Sequence, residues 1–177
     1  MRIGRPSTAK LSVARRVLFL KCGLAVPNYC TRTSSSPAPK LCELVSFAEK
    51  AEELGFDILW VIDHLLRPTP LYNVSWHDPT ITLGLLAGVT KALKLWSAIF
   101  ILPLRSPLIM AKEIASLDNL TEGRAILGVG NGWFDKEFEA CGVSMKERRR
   151  KKRGVPGNHT TALDGGLTYL RRPILSL

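Results

Sequence analysis

Cysteine is scarce in this chain and histidine scarcer: four of one and three of the other among 177 residues. Cys22, Cys30, Cys42 and Cys141 form no C-x-x-C pair, and no histidine cluster lies beside them. We therefore expect no metal site and no disulfide framework, but free thiols suited to a reducing cytoplasm. Long apolar runs are missing too. The longest, Leu95 to Leu104, falls well short of the roughly 20 residues that span a bilayer. No nucleophile elbow, P-loop, metalloprotease helix or zinc-deaminase signature occurs. Acidic residues are absent from the first 21 positions, which hold Arg2, Arg5, Lys10, Arg15, Arg16 and Lys21. That composition is like an organelle transit peptide, while Val17 to Leu20 is too short for a signal-peptide core. We read 1–21 as a basic extension outside the fold.

The net charge of +10 is unevenly placed. Cys22 to Met145 carries 10 basic and 13 acidic residues, and the two ends carry 15 and 2. An inference toward polyanion partners thus attaches only to the ends. The run Lys146 to Arg153 has seven basic residues in eight, and the stretch from Gly154 to Leu177 shows no amphipathic period. A solvated tail over 149–177 is expected ahead of a nucleic-acid-binding arm.

What is present is a repeating pattern. Gly23-Leu24-Ala25-Val26 is a short apolar run closed by Pro27-Asn28. A Ser- and Pro-rich loop comes next, and then a helix over Lys40 to Leu54. Its apolar face holds Leu41, Leu44, Val45, Ala48, Ala51 and Leu54, with Gly55 as its left-handed stop. Ile58 to Ile62 is apolar throughout, as a strand covered on both faces should be. Asp63 to His77 reads as a loop. Asp78-Pro79 and Ser106-Pro107 read as N-cap and first-turn proline of two further helices. Leu93 to Leu104 holds the third strand. Arg124 to Val129 is the fourth, and Gly130-Asn131-Gly132 its exit. Strand starts near 22, 57, 94 and 124 lie 35, 37 and 30 residues apart, the length of one strand-plus-helix unit. Strands and helices in alternation predict a parallel α/β sheet. The pattern alone leaves an open doubly wound sheet and a barrel both available.

The segments GLAVPNY (23–29), FAEKAEELGFDILWVIDH (47–64), DPTITLGLLAGVTKALKL (78–95), ILPLRSPLIMAKEIASLDNLTEGRAILGVGNGW (101–133) and FEACGVSMKER (138–148) resemble luciferase-like monooxygenases in sequence, order and spacing. The resemblance covers about 22–148. It implies a parallel (β/α)8 barrel of TIM type, with FMN or a deazaflavin coenzyme at the strands' C-terminal ends and a small-molecule substrate. About four βα units are present here, a half or truncated barrel, because the likeness ends near Arg149. A frameshifted or shortened reading frame would give such an ending. A half sheet would expose an edge and an apolar face, favouring a homodimer.

Candidate site residues come from both sources. His64 leaves the second strand where a barrel places its catalytic groups. An imidazole there can donate a proton or hydrogen bond near neutral pH, and the resemblance places this histidine beside flavin and substrate. Asp63 is expected to orient the ring or touch substrate. Gly128, Gly130 and Gly132 allow close backbone approach, yet lack the third glycine of a dinucleotide fingerprint. The resemblance makes this loop, with Asn131, a flavin contact. It also places a non-prolyl cis peptide and a cofactor-backing bulge near Trp96-Ser97-Ala98-Ile99, with Ser97 and Ala98 as contacts; a plain core strand is the other reading. Asn28, Tyr29 and Trp76 are candidate substrate contacts, although packing at a helix entry suits Trp76 and His77 better. Glu137 and Glu139 read as a solvated helix face.

Overall fold

The computed structural model describes residues 21–31, 39–67 and 73–148, with the backbone of 161–162 and 168–170. The roles considered for the N-terminal extension and for the basic run beyond Arg148 fall outside the described residues. In chain order the elements are β1 (Gly23–Ala25), β2 (Tyr29–Thr31), α1 (Leu41–Glu53), β3 (Ile58–Val61), β4 (Val74–Trp76), α2 (Pro79–Val89), β5 (Lys94–Ile101), α3 (Pro107–Leu120), β6 (Ala125–Gly130), α4 (Asp135–Ala140), β7 (Thr161–Ala162) and β8 (Thr168–Leu170).

β1, β3, β5 and β6 pair in parallel, in that order. Each new unit joins beside the last, always on the same side. A doubly wound sheet reverses its order partway; a barrel does not. With right-handed crossovers, an unreversed order places every helix on one face. Strand order thus makes the choice that the sequence pattern left open. These four βα units are laid out as in the first half of a (β/α)8 barrel, and no closed barrel forms among the described residues.

The helix-side face is the core. Leu59, Val61 and Leu95 pack with Leu44, Ala48, Ala51, Leu83 and Leu86. Further along, Phe100, Leu127 and Val129 pack with Met110 and Ile114 of α3. Each of the larger side chains among these, Leu, Val, Ile, Met or Phe, contributes about 1.5–3 kcal/mol on full burial. On the opposite face Ile58, Trp60, Trp96 and Ile126 are only half-buried.

Local expectations hold with corrections. Gly55 has φ 78°, the left-handed stop. The apolar face of α1 is narrower than its spacing suggests, since Leu41 and Leu54 at its two ends are exposed. Asp78 caps α2 by accepting from Ile81 N–H at 3.1 Å. Ser106 occupies the N-cap position of α3 but makes no side-chain cap bond. The third strand ends at Ile101, and Leu102–Leu104 is a 3-10 turn around Pro103. The Asp63–His77 segment is not all loop, because β4 pairs antiparallel with β2, Tyr29 opposite Trp76. Three-residue strands joined across so long a separation leave no periodic trace in sequence. Past Arg148, where no regular element was expected, β8 pairs antiparallel with β6, and β7 with β8.

Glu52, partly exposed at the end of α1, accepts backbone N–H groups of Lys91, Ala92 and Leu93 at 2.6–3.1 Å. Burial opposes its ionisation, but those bonds and the Arg124 charge outweigh it and hold the carboxyl below its ordinary value. This fastens the turn before β5 to α1, at the end of the sheet away from His64.

Candidate active site at the C-terminal end of the sheet

β3 delivers Asp63 and His64 side by side, and the two turn to different partners. His64 Nδ1 lies 3.1 Å and 3.2 Å from the two carboxylate oxygens of Glu137. The same carboxylate accepts Leu65 N–H at 2.7 Å and Leu66 N–H at 3.0 Å. Glu137 is fully buried and the His64 side chain is 8% exposed. The expectation that Glu137 sits on a solvated face is therefore wrong, while Glu139 is exposed as expected. Glu137 occupies the first turn of α4, where an acid ordinarily serves its own helix. Here it reaches across 73 residues of sequence instead.

Burial opposes the Glu137 charge. The hydrogen bonds from His64, Leu66 and Leu65, with the imidazole's charge, more than offset this, and its carboxyl lies below the ordinary range. An ionised carboxylate only accepts hydrogen bonds. It therefore fixes the imidazole proton on Nδ1 and leaves Nε2 as the basic nitrogen. A carboxylate behind an imidazole in this way sets both tautomer and ring orientation.

Asp63 does not orient that ring. Its Oδ2 accepts Ile101 N–H at 2.9 Å and Arg105 Nε–H at 3.1 Å, and its Oδ1 accepts Arg105 Nη2–H at 2.7 Å. The same guanidinium reaches Asp78 at 3.2 Å and lies 4.9 Å over the Phe100 ring. Its burial opposes the charge, but the two aspartates win and raise its affinity for the proton. Asp63 therefore ties the exits of β3 and β5 to the start of α2.

Aromatic rings surround the imidazole. The Trp76 centroid is 5.1 Å away and that of Trp133 5.8 Å, the latter edge-on. Tyr29 lies 6.5 Å from Trp76, and Phe134 5.6 Å from Trp133. The structure thus brings His64, Trp76 and Tyr29 into one cluster. Asn28 is buried and donates to the carbonyls of His77 and Ile62 at 3.3 Å and 3.4 Å, while its Oδ1 has no hydrogen-bond partner among the described residues.

The glycine run has a packing explanation. β5 advances three residues, Ser97 to Phe100, where β6 advances two. Within this bulge the Ala98–Ile99 peptide is cis, as the resemblance suggested for this stretch. Ser97 Oγ bridges the gap by donating to Gly128 O and accepting Gly128 N–H, each at 3.0 Å. A Cβ on Gly128 would meet the Ser97 carbonyl and stand 2.7 Å from Trp96 Nε1, and one on Gly130 would meet the Ile99 side chain. Gly132 has φ 70° and would meet Ile101 and Phe138. The space on the Cβ side of these glycines is thus filled by protein atoms. Gly128→Ala should cost about 1–3 kcal/mol through overpacking, read as a lower urea midpoint with unchanged slope. Asn131, between Gly130 and Gly132, keeps a buried Oδ1 without a partner among the described residues.

Three residues escaped sequence reasoning: Glu137, Arg105 and Trp133. Only Trp133 left a signal, a large aromatic directly after Gly130-Asn131-Gly132 that is 49% exposed. A described cavity of about 580 Å3 lies at the other end of the sheet, between Phe56, Lys94 and Ile126. It is remote from all of this chemistry.

A sheet of sequential βα units in unreversed order, with a histidine at its C-terminal end, has the layout of a barrel-type α/β protein. Comparison with known proteins narrows that class: the chain belongs to the luciferase-like monooxygenase family, whose model matches residues 21–153. It is 30% identical over 106 residues to the alkanal monooxygenase alpha chain of Photorhabdus luminescens, covering 60% of this chain and 28% of that one. It is 32% identical to the 5,10-methylenetetrahydromethanopterin reductase of Methanolobus tindarius, covering 74% and 39%. Against the F420-dependent glucose-6-phosphate dehydrogenase of Kineococcus radiotolerans the identity is 36%, covering 62% and 32%. Among solved structures, monooxygenase RslO1 from Streptomyces bottropensis superposes with TM-score 0.61 at 25% identity, covering 75% and 39%. The chain spans about a third of the length of these curated relatives. Among the described residues no helix is long and apolar enough to cross a membrane.

Proposed function

We propose that this chain carries the acid–base part of a flavin- or deazaflavin-dependent oxidoreductase site, with His64 as the proton or hydrogen-bond donor toward a small-molecule substrate. The observation that carries the reading is the buried Glu137–His64 pair, which holds one tautomer at the C-terminal end of the sheet. An imidazole fixed there through Nδ1 can take a proton on Nε2 and give it up again as the imidazolium, which suits reactions in which a proton moves with hydride or oxygen transfer. The relatives support the cofactor class, since two are F420-dependent by name and a similarly folded monooxygenase was solved with FMN.

The residues present fit such a group. Asn131 Oδ1 and Asn28 Oδ1 are buried acceptors lacking a donor among the described residues, which the N–H-bearing edge of a flavin or deazaflavin can supply, and Asn131 follows the exit of β6. We assign Asn131 to the coenzyme and Asn28 to coenzyme or substrate. When bound, the reduced coenzyme supplies hydride or activates oxygen. In its doubly protonated form His64 presents an Nε2 proton to the reacting centre, and the indoles on either side of it exclude water.

The test is a fluorescence titration of the full chain with FMN and, separately, with F420. Saturable binding to one of them, weakened in Asn131→Ala and His64→Ala, is expected. A folded chain that binds neither would sink the reading. A second reading, a self-associating half barrel without catalysis, draws on β1, which has only β3 as a described neighbour, and on the half-buried face of Trp60 and Trp96. A dimer by sedimentation with no coenzyme affinity would favour it.

A further inference from the structure

β6 reads AILGVG, six residues without charge or proline, and its Leu127 and Val129 are buried. Left as an edge, such a strand would offer a row of unpaired N–H and C=O groups to any extended chain that met it. In this structure the row is taken. β8 lies along β6, with Leu127 opposite Leu170, Gly128 opposite Tyr169 and Val129 opposite Thr168. All strands of a (β/α)8 barrel run parallel, whereas β8 runs antiparallel to β6. It therefore sits where the next barrel strand would join without being that strand.

Which backbone groups β8 engages follows from Gly128. Its N–H donates to Ser97 Oγ and its C=O accepts from the same hydroxyl, so both point toward β5. In an extended strand a residue's own N–H and C=O share a side, and those of its neighbours point the other way. Leu127 and Val129 thus turn their N–H and C=O groups toward β8. β8 is covered in turn by β7, with Thr161 opposite Tyr169 and Ala162 opposite Thr168. Among the described residues the sheet then ends on a strand of two residues instead of one of six. Very short edge strands are one of the ways in which sheets resist strand addition.

We propose that the β7–β8 hairpin is an edge cap. It holds the outward N–H and C=O groups of Leu127 and Val129 and so keeps a second copy of this chain from adding a strand to β6. Any association of copies through β6 first requires β8 to leave. The cap bears on β6 alone, so association through β1 is a separate matter, and the inference does not depend on coenzyme binding or on the role of His64.

Amide exchange followed by NMR on the full chain tests the pairing, and sedimentation tests its consequence. In the wild type the Leu127 and Val129 amides should exchange slowly. Thr168→Pro combined with Leu170→Pro puts two prolines into an interior strand, where the ladder does not tolerate them. Both amides should then exchange about tenfold faster or more, the scale of one lost hydrogen bond. The Gly128 amide, held by Ser97 Oγ, should stay slow in the same variant and so reports that the sheet is still folded. That variant should also sediment as larger species than the wild type at equal concentration. Thr168→Val combined with Leu170→Val keeps the strand and should match the wild type. Leu170→Pro alone, the milder change at the end of β8, should speed Leu127 more than Val129 and enlarge the species to a smaller degree. Fast exchange at Leu127 and Val129 in the wild type overturns the pairing. Unchanged sedimentation of the double-proline variant, with both amides fast, overturns the guarding role. If that variant loses Gly128 protection as well, the single Leu170→Pro variant decides by the same two comparisons, at Leu127 and in sedimentation.

Discussion

Glu137→Ala should destabilise the chain by about 3–5 kcal/mol, the usual loss when one partner of a buried charged pair is removed. The carboxylate serves His64, Leu65 and Leu66 together, and alanine leaves all three donors without their acceptor. A shift in urea midpoint measures this, and a change below about 1 kcal/mol would contradict a network of this kind. Glu137→Gln separates structure from positioning. Its carbonyl oxygen can still hold the Leu65 and Leu66 N–H groups, so much of the stability should return. Its NH2 would face Nδ1, however, which favours the tautomer with the proton on Nε2. Nitrogen NMR of His64 should report that tautomer change, which a purely structural role would not produce. The pH dependence has a fixed sign. Because the folded-state carboxyl lies below its ordinary value, it contributes stability above its unfolded pKa of about 4.3, lost as pH falls through the lower folded value. Acid unfolding of the wild type should therefore include a contribution that Glu137→Gln lacks.

Asp63→Ala is the second large effect, also about 3–5 kcal/mol. It strips the bidentate partner from an Arg105 whose side chain is only 15% exposed, and it orphans Ile101 N–H inside the sheet. The cost should fall mainly on stability, because the carboxylate's described contacts go to Arg105 and Ile101. The pair Asp63→Leu with Arg105→Met should cost less than Asp63→Ala alone, since no unpaired buried charge remains. A double-mutant cycle by chemical denaturation gives that coupling. Additive costs would mean that the two residues do not act as one unit. Loss of coenzyme binding in a folded Asp63→Asn variant would return Asp63 to the site.

Much of the scaffold was legible because it is local. The buried residues Leu44, Ala48 and Ala51 follow helical spacing, Asp78-Pro79 is a cap followed by proline, and Ile58 to Ile62 is apolar throughout. Each of these signals fits within a few neighbouring residues, where side-chain direction follows from backbone period alone. Neither β2 nor β4 was legible, since three-residue strands carry almost no period, and only their pairing across the chain stabilises them.

The site divided along the same line. His64 and the glycine run of β6 stood out in sequence, by residue type and by position after a strand. What each does locally was decided elsewhere. Whether Asp63 or Glu137 orients the imidazole depends on which carboxylate the fold carries to Nδ1, and neither spacing nor composition encodes that distance. The same holds for Gly128, whose requirement comes from Ser97 and Trp96 on the neighbouring strand. A run of βα units, their caps and a histidine at a strand exit could be read from the chain alone, because these arise between near neighbours. Packing in three dimensions set barrel order over doubly wound order and brought Glu137 in place of Asp63 to the imidazole. Each of those is a contact between residues far apart in sequence, and it exists only once the strands are packed side by side.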